Sequence, residues 1–294
     1  MNTGASTTEP DLELSIVAPA HNEQDNVDAL VREVGLVLSR ISGGDALIAS
    51  RAEFIIVDDG STDQTRARVR ALMCDRPWLR CVAMQNTPPG RGNGQSAAFF
   101  AGFRAARGKL IAVLDADLQN DPADLPSMID DLRREKADMV QGDRSAARED
   151  NAIRRVGSLV GRVFRRGLLD DPIRDTGCSL RVMKSEVARA IPLQFKGVHR
   201  FIPITAIHLG YKVIQRPVHH RPRVAGETKY GLGIVQRALP GLLDLLAVKW
   251  MRSRRRPTAS IEVGPDETID APTVDVPSNS EASPAPAAES ASRA

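Results

Sequence analysis

The sequence contains few aromatic residues, few cysteines and no long apolar run. Phe, Trp and Tyr make up 4% of its 294 residues, which is too few for the stacking surface of a single-stranded nucleic-acid binder. The three cysteines, Cys74, Cys81 and Cys178, have no C-x-x-C spacing, so we expect reduced thiols of a cytoplasmic protein. No run approaches the roughly 20 apolar residues that cross a bilayer. Residues 1–12 lack the basic and apolar parts of a secretory signal.

Charge is distributed unevenly along the chain. The formal net charge is +3, but residues 257–294 carry seven acidic side chains against Arg293 alone, which leaves +9 on the remainder. This acidic segment is rich in Ala, Pro and Ser and contains no aromatic residue, so we expect a disordered tail. A basic body suits nucleic acid, anionic lipid or phosphorylated substrates. The scarcity of aromatic residues argues against nucleic acid as the partner.

Apolar runs alternate with helical patterns along the first half of the chain. This alternation predicts an α/β fold with a mostly parallel sheet and helices on both faces. The predicted strands are 14–18, 53–57, 79–84, 109–114 and 137–141, and the predicted helices are 25–38, 61–73, 94–106 and 121–134. The less regular second half predicts helices over 152–168, 198–209 and 230–251 and strands over 180–183 and 212–218.

Two carboxylates, Asp115 and Asp117, follow the apolar run 109–114 in the motif D-A-D-L-Q. A strand there carries them to the carboxyl edge of the sheet, where open α/β folds bind ligands. Neighbouring carboxylates repel each other unless a cation lies between them. Hard oxygen ligands suit Mg²⁺ or Mn²⁺, which in turn binds a substrate diphosphate. The alternative is a turn that only caps the helix starting near Asp121 and Pro122.

Two further polar motifs follow predicted strands, P-A-H-N-E at 19–23 and V-D-D-G-S-T-D at 57–63. Each could simply cap the next helix through a side chain such as Asn22 or Ser61. The functional alternative places Glu23 and the two acids of the second motif at the sheet edge. There they suit hydrogen bonds to the base or ribose of a nucleotide.

Together these motifs resemble the family 2 glycosyltransferases of the GT-A fold. The resemblance is strongest to the branch that transfers a sugar to a polyprenyl phosphate, such as dolichol-phosphate mannosyltransferase and its bacterial undecaprenyl-phosphate relatives. It covers roughly residues 12–235 and rests on seven motifs in order. Besides the three motifs above, these are the glycine loop at 90–94, G-D-R at 142–144, D-T-G-C-S-L-R at 175–181 and R-V-A-G-E-T-K-Y at 223–230.

The resemblance implies a role for individual residues. The positions that bind the nucleotide's base and ribose are matched by Pro19, Glu23, Asp58 and Asp115. The positions of the Mg²⁺ or Mn²⁺ and diphosphate site are matched by Asp115, Asp117 and Gln119. The groups that hold the acceptor phosphate are matched by Arg144, Arg154 and Ser158. A loop that closes over the diphosphate is matched by Arg223 and Lys229, so that Asp117, Arg223 and Lys229 are the implied catalytic set.

The implied reaction is an inverting transfer from a nucleotide-diphosphate sugar, mannose or a similar sugar, to a polyprenyl phosphate. A phosphate monoester has a second pKa near 6 and is already a dianion at neutral pH, so this acceptor needs no general base. A hydroxyl acceptor on a glycan would need one, and Asp175 is the nearest candidate. The sequence leaves both acceptors open, with Asp175 as a base or a structural residue.

Two other classes of protein are compatible with parts of the sequence. A scaffold that binds a nucleotide-sugar without turnover would keep the fold, although every expected charged position is occupied. An NAD-dependent oxidoreductase is suggested only by a G-x-G-x-x-A match at 92–97. That fingerprint belongs after the first strand of its unit, where this chain has no glycine.

The domain organisation expected from the sequence has five parts. They are a flexible N-terminus (1–11), a nucleotide-sugar-binding half (12–150), an acceptor-binding half (151–235), a basic amphipathic helical segment (236–256) and the acidic tail (257–294). The helical segment ends in R-S-R-R-R at 252–256. A basic amphipathic helix is attracted to anionic lipid, so we expect a peripheral protein on the inner face of the cell membrane. It would attach either directly to the lipid or through a membrane partner protein.

Overall fold

Seven strands build the sheet of this protein in the computed structural model. The structure describes residues 12–88, 90–145, 152–222 and 234–256, without the side chains of 152–160 and 234–239. The strands are β1 (Leu14–Ala20), β2 (Ala52–Asp58), β3 (Leu79–Ala83), β4 (Leu110–Val113), β5 (Met139–Asp143), β6 (Arg181–Lys184) and β7 (Val213–Pro217). They form one sheet in the order β3-β2-β1-β4-β6-β5-β7.

Helices connect most of these strands. The α-helices are α1 (Val27–Ser42), α2 (Ile48–Arg51), α3 (Thr65–Met73), α4 (Gln95–Ala105), α5 (Leu125–Arg134), α6 (Ala152–Leu169), α7 (Ser185–Ala190), α8 (Ile202–His208) and α9 (Ile234–Arg254). Short 3₁₀ helices cover Asp45–Leu47, Pro122–Asp124 and Val198–Phe201. All the strands and the longer helices expected from the sequence are present.

The sheet is parallel except at β6. The pairs β1–β2, β1–β4, β2–β3 and β5–β7 are parallel, whereas β6 runs antiparallel to both β4 and β5. The carboxyl ends of β1, β2 and β4 therefore lie side by side at one edge of the sheet. This arrangement confirms the predicted α/β class, while the reversed direction of β6 could not be read from its short apolar run.

Both faces of the sheet are covered by apolar helices. Along β2, Phe54 and Ile56 contribute to the core under α1 and α5, and Ile55 and Val57 contribute to the opposite core under α4, α7 and α8. Side chains alternate between the two faces of a strand. Because both faces are buried, the strand reads as a continuous apolar run.

The C-terminal helix α9 is one continuous helix that contains Pro240. Leu245 and Val248 on one side of it pack into a small apolar cluster with α6 and α8 side chains. Within the described residues, no helix combines the length and apolarity that a membrane crossing needs. The five-part organisation expected from the sequence stays a prediction, and the N-terminus and the acidic tail lie outside the described residues.

An ionic network holds the edge of the sheet opposite the carboxyl ends. Glu53, 1% exposed, accepts hydrogen bonds from the Ser15 hydroxyl (2.7 Å) and from the guanidinium groups of Arg107 and Arg80 (both 2.7 Å). Burial by itself would raise the pKa of Glu53, but the hydrogen bonds from Arg107, Ser15 and Arg80 outweigh it and lower the pKa. The ionised carboxylate therefore stabilises the fold.

We expect Glu53→Gln to lower the free energy of unfolding by about 1.5–3 kcal/mol at neutral pH, because it removes charge-assisted hydrogen bonds. Folding lowers the pKa of Glu53 below 4.5. Its contribution is therefore present above that value and is lost as the pH falls through the folded pKa. Urea unfolding at neutral pH and at about pH 3 measures both effects, with the exposed Glu186→Gln as the control. Equal stability of the variant and the parent at neutral pH would contradict the assignment.

Candidate functional site

A cleft of about 310 Å³ opens at the carboxyl ends of β1, β2 and β4. Its wall contains four of the residues that the resemblance matched to the nucleotide and metal sites. They are Pro19, Glu23, Asp115 and Asp117. The parallel strands bring the four together because the ends of β1 and β4 are neighbours.

The loops after β1 and β2 are tied to each other by side chain to backbone hydrogen bonds. The Asn22 carboxamide accepts from the Thr62 N–H (2.8 Å), and the Ser61 hydroxyl accepts from the Asn22 N–H (3.0 Å). The Thr65 hydroxyl accepts from the N–H of Glu23 (2.8 Å). Asn22 and Ser61, the two side chains that could have capped a helix, therefore bridge the two loops, and the bond from Glu23 to Thr65 fixes the backbone of Glu23 at the cleft wall.

The adjacent acids Asp58 and Asp59 have different surroundings. Asp58 is fully buried and accepts hydrogen bonds from the Ser61 N–H (2.9 Å) and from Arg66. Asp59, and not Asp58, lines the cleft. The sequence resemblance pointed to Asp58 for the nucleotide, and the structure places its neighbour at the cavity.

Asp59 also holds the glycine loop that forms another wall of the cleft. Its carboxylate accepts from the N–H groups of Asn93 (2.8 Å) and Gly94 (2.7 Å). A Cβ atom at Gly92 would lie 2.3 Å from the Asp59 carboxylate, and Gly94 has a φ of +96°. Glycine is therefore required at Gly92 because the carboxylate is so close, and at Gly94 because of its backbone conformation. These two constraints explain the G-x-G spacing, and no dinucleotide-binding fold is needed to account for it.

Asp115 is held by two side chains from other parts of the fold. Its Oδ1 accepts from Gln95 Nε2 at the start of α4 (2.8 Å), and its Oδ2 accepts from the Ser179 hydroxyl (2.6 Å). The pKa of Asp115 is raised, first by burial and then by the negative charge of Asp117. An added cation would relieve this repulsion and favour the ionised form.

A tight turn follows Asp115 and presents Asp117. The N–H of Gln119 donates to Asp117 Oδ1 (3.2 Å), and Leu118 between them has a left-handed φ of +62°. Such a conformation is uncommon for a bulky side chain and is found at functional sites. The carbonyl of Gln119 accepts from the N–H of Arg221 (2.9 Å), so the turn is braced by the chain that follows β7.

The helix-capping role that was the alternative for Asp115 and Asp117 is carried out by Asp121. Asp121 caps the 3₁₀ helix by accepting from the Ala123 N–H (2.9 Å), with Pro122 at the first helical position. Asp115 and Asp117 face the cleft instead. The capping role and the ligand role are thus divided along the same loop.

Arg144 and Asp175 form a buried ion pair. The guanidinium donates from Nε to Asp175 Oδ2 (2.8 Å) and from a terminal nitrogen to Oδ1 (3.2 Å). Gly177 N–H also donates to Oδ1 (3.1 Å). The two residues that the sequence proposed separately, one for the acceptor phosphate and one as a base, are therefore bound to each other.

The remaining predicted residues are only partly described. Arg154 and Ser158 lie on α6, whose backbone is described there without side chains. Arg223 and Lys229 lie outside the described residues. Arg221, two positions before Arg223, is anchored to Glu33 and Asp121 by ion pairs of 2.7 Å.

One family model matches more than half of the chain. The model of the family described as glycosyl transferase family 2 matches residues 15–191. The chain belongs to this family. This confirms the resemblance that the motifs indicated and the glycosyltransferase class.

Several curated relatives are similar over most of the chain. The dodecaprenyl-phosphate galacturonate synthase of Rhizobium johnstonii is 35% identical over 250 residues, which cover 84% of this chain and 69% of that protein. The undecaprenyl-phosphate 4-deoxy-4-formamido-L-arabinose transferase of Edwardsiella ictaluri is 35% identical over 223 residues, 74% of this chain and 63% of that protein. The chain thus spans about two thirds of the length of these relatives.

Solved structures support the fold. The glucosyl-3-phosphoglycerate synthase of Mycobacterium tuberculosis, in complex with Mn²⁺, UDP and glucosyl-3-phosphoglycerate, has a TM-score of 0.59 and 20% identity, with 80% of each chain covered. At this identity the likeness establishes the fold. It confirms the GT-A architecture expected from the motif order.

Sequence reasoning missed several residues of the site. Asp59, Gln95 and Ser179 contact the glycine loop or Asp115, yet none was singled out for that contact. Ser179 lies inside the D-T-G-C-S-L-R motif and Gln95 directly follows the glycine loop, so their positions gave a signal. Ser179 reaches Asp115 because β6 pairs antiparallel with β4, and this pairing could not be read from sequence spacing.

We expect Arg144→Gln to lower the free energy of unfolding by about 3–5 kcal/mol, because Asp175 is left buried without its partner. Thermal and urea unfolding measure this loss, and the double variant Arg144→Gln/Asp175→Asn should recover part of it. The exposed Arg174→Gln is the matched control. An Arg144→Gln protein as stable as the parent but weaker for its acceptor would show that Arg144 serves the substrate and not the fold.

Proposed function

We propose that this protein is an inverting glycosyltransferase that moves a sugar from a nucleotide-diphosphate sugar to a polyprenyl phosphate. The observation that carries the proposal is the cleft that joins Glu23, Asp59, Asp115 and Asp117 at the carboxyl ends of three parallel strands. The relatives in Rhizobium johnstonii and Edwardsiella ictaluri are both named for transfer of a sugar to a polyprenyl phosphate, which supports the same acceptor class here.

The donor nucleotide would lie along the wall formed by the first two strand ends. Pro19 and Glu23 line this part of the cleft together with Asp59. Asp58, which the resemblance matched to the nucleotide, holds Arg66 and Ser61 and so supports the loop from behind. We therefore assign direct contact with the base or ribose to Glu23 and Asp59 and a supporting role to Asp58.

A divalent cation, Mg²⁺ or Mn²⁺, fits the chemistry of the D-A-D-L-Q turn. Within the described ranges, no group of three or more His, Cys, Asp or Glu side chains could hold a metal ion by itself. Mg²⁺ is commonly bound by one or two carboxylates together with substrate phosphates and water, which is what Asp115 and Asp117 could offer beside Gln119. When bound, the cation would supply charge stabilisation for the leaving diphosphate.

The protein's own residues would do the rest of the chemistry. Arg223 and Lys229 carry positive charge on the segment that follows the anchored Arg221, and guanidinium and ammonium groups stabilise a leaving phosphate. The acceptor phosphate attacks from the opposite face of the sugar, so the anomeric configuration inverts. Both oxygens of Asp175 already accept hydrogen bonds, which favours an acceptor that needs no base over a hydroxyl acceptor.

The acceptor phosphate would be held from the side of α6. Arg154 and Ser158 are four positions apart in the sequence of this helix. Arg144 would act mainly through its pair with Asp175, which fixes the start of the D-T-G-C-S-L-R segment. This division assigns binding of the acceptor to α6 and support of the site to Arg144.

The proposal is tested at Asp117, the aspartate that would bind the metal ion. Asp117→Ala should abolish sugar transfer to undecaprenyl phosphate, and EDTA should do the same reversibly in the parent protein, because the leaving diphosphate loses its counter-charge. Calorimetry should show that Mn²⁺ strengthens nucleotide binding in the parent and not in the variant. The exposed Asp130→Ala serves as the control. Full transfer by Asp117→Ala in excess chelator would refute the metal assignment.

Attachment to the membrane would use the exposed side of α9. Leu243 (58% exposed) and Trp250 (63% exposed) lie with Leu246 on the side of the helix away from Leu245 and Val248, and Leu242 is exposed at the flank. The sequence R-S-R-R-R follows at 252–256, although Arg252 is partly engaged by Asp170 (2.9 Å). An apolar stripe beside a basic cluster is typical of helices that lie at an anionic lipid surface. Such a surface is the cell membrane that carries the acceptor.

We expect salt-sensitive flotation of the protein with vesicles of phosphatidylglycerol and phosphatidylcholine. Replacing Leu243 and Trp250 by serine should abolish flotation, and neutralising Arg254, Arg255 and Arg256 should weaken it by about 1 kcal/mol per charge. The exposed Leu36→Ser on α1 is the matched control. If none of these changes alters flotation, or if the protein does not float, attachment through a membrane partner protein is supported instead.

A further inference from the structure

A second cavity of about 310 Å³ adjoins the nucleotide cleft, and we call it the arginine cavity. Its wall includes Arg181, His199 and Arg200. It shares Gln95 and Asp115 with the nucleotide cleft. The two cavities therefore meet at Asp115 and Gln95.

Arg181 is a buried cation that is bonded only to uncharged groups among the described residues. It is 2% exposed, and it donates to the carbonyl oxygens of Cys178 (2.6 Å), Ser179 (3.2 Å) and His199 (3.3 Å). These bonds use three of the five N–H groups of a guanidinium. Burial lowers the pKa of Arg181 to about 10, so the group is still charged at neutral pH.

His199 presents a neutral ring beside this cation. The Ser96 hydroxyl accepts from the backbone N–H of His199 (3.1 Å) and shares a second hydrogen bond with Nδ1 of the His199 ring (2.8 Å). Burial and the charges of Arg200 and Arg181 lower the pKa of His199 to about 3. In the tautomer whose Nδ1 accepts from this hydroxyl, Nε2 carries the ring proton and is a hydrogen-bond donor.

The remaining groups of the wall add positive charge and donors. Arg200 is half exposed, and its nearest ion-pair partner, Asp244, is at the long distance of 3.8 Å. Thr176 contributes a hydroxyl to the same wall. Asp115 is the carboxylate of this wall, and it already receives hydrogen bonds from Gln95 and Ser179. A buried charge is costly unless it is paired, and an incoming anion would pair it.

We propose that the arginine cavity binds an oxyanion carried by a substrate, through Arg181, Arg200 and His199. The oxyanion is either the carboxylate of a transferred uronic acid or the phosphate of the acceptor. This inference rests on the proposed function, because both anions belong to that reaction. It names a recognition site that is distinct from Arg154 and Ser158 on α6 and from the D-A-D-L-Q turn.

The position of the cavity suits either source. A nucleotide that contacts Glu23 and Asp59 directs its diphosphate toward Asp115 and Asp117, and the arginine cavity begins at Asp115. The sugar bonded to that diphosphate, or the phosphate that attacks the sugar, would be the group nearest to Arg181. Guanidinium groups bind carboxylate and phosphate with paired hydrogen bonds.

The first arm of the test measures donor binding by calorimetry in the presence of Mn²⁺. The probes are matched pairs of acidic and neutral donors, UDP-galacturonate with UDP-galactose and GDP-mannuronate with GDP-mannose. If the cavity takes the sugar carboxylate, Arg200→Gln should weaken the acidic donor about tenfold to a hundredfold and leave the neutral donor unchanged. Arg181→Lys, which keeps the charge but not the fork of donors, should weaken it in the same direction.

The second arm measures binding of farnesyl phosphate to the protein loaded with UDP and Mn²⁺. If the cavity binds the acceptor phosphate, Arg200→Gln should weaken the binding of farnesyl phosphate about tenfold to a hundredfold and leave the binding of every donor unchanged. Arg189→Gln is the control, since Arg189 lines another cavity between α4 and α7. Thermal unfolding checks that each variant is folded.

The two arms separate the outcomes. Unchanged binding of all acidic donors and of farnesyl phosphate by folded Arg200→Gln and Arg181→Lys proteins would overturn the arginine cavity as an oxyanion site. Both arms are equilibrium measurements and do not depend on turnover. A parent protein that binds these anions through Arg200 but transfers no sugar would instead overturn the proposed function and leave the cavity assignment standing.

Discussion

The cleft at the carboxyl ends of the parallel strands depends on how the carboxylate of Asp115 is held. One oxygen accepts from Gln95 on α4, and the other accepts from Ser179 before β6. These two bonds connect the glycine loop, the end of β4 and the only reversed strand of the described sheet around a single carboxylate. The same carboxylate is repelled by Asp117. A site built on this repulsion is suited to a cation and a diphosphate, and poorly suited to an uncharged ligand.

Acidic side chains next to one another in the sequence serve different purposes in this fold. Asp58 is buried on Arg66, and Asp59 fastens the glycine loop at the cleft. Asp121 caps a helix while Asp117 faces the cavity. Asp175 pairs with Arg144, whereas the buried Arg181 donates to backbone carbonyl oxygens. The division between structural and binding roles is thus set by burial and by the partner, and not by residue type.

The sequence predicted the strands, the longer helices and the placement of Glu23, Asp115 and Asp117 at one edge, because apolar runs and parallel strand order determine these features. The residue pattern did not show which of Asp58 and Asp59 lines the cleft, because successive side chains of a strand point to opposite faces of the sheet. It could not foresee that Arg144 binds Asp175, because 31 positions separate them. The arginine cavity was likewise hidden, since Arg181 and His199 meet only through the reversed β6.

The central claim is that the acceptor is a phosphate that attacks without a general base. The most direct measurement offers the purified protein undecaprenyl phosphate and undecaprenol in parallel, with Mn²⁺ and a panel of radiolabelled UDP- and GDP-sugars. We expect label to enter the lipid phase only with the phosphate, and we expect the anomeric configuration of the product to be inverted relative to the donor. Transfer to undecaprenol, or a product with retained configuration, would contradict it.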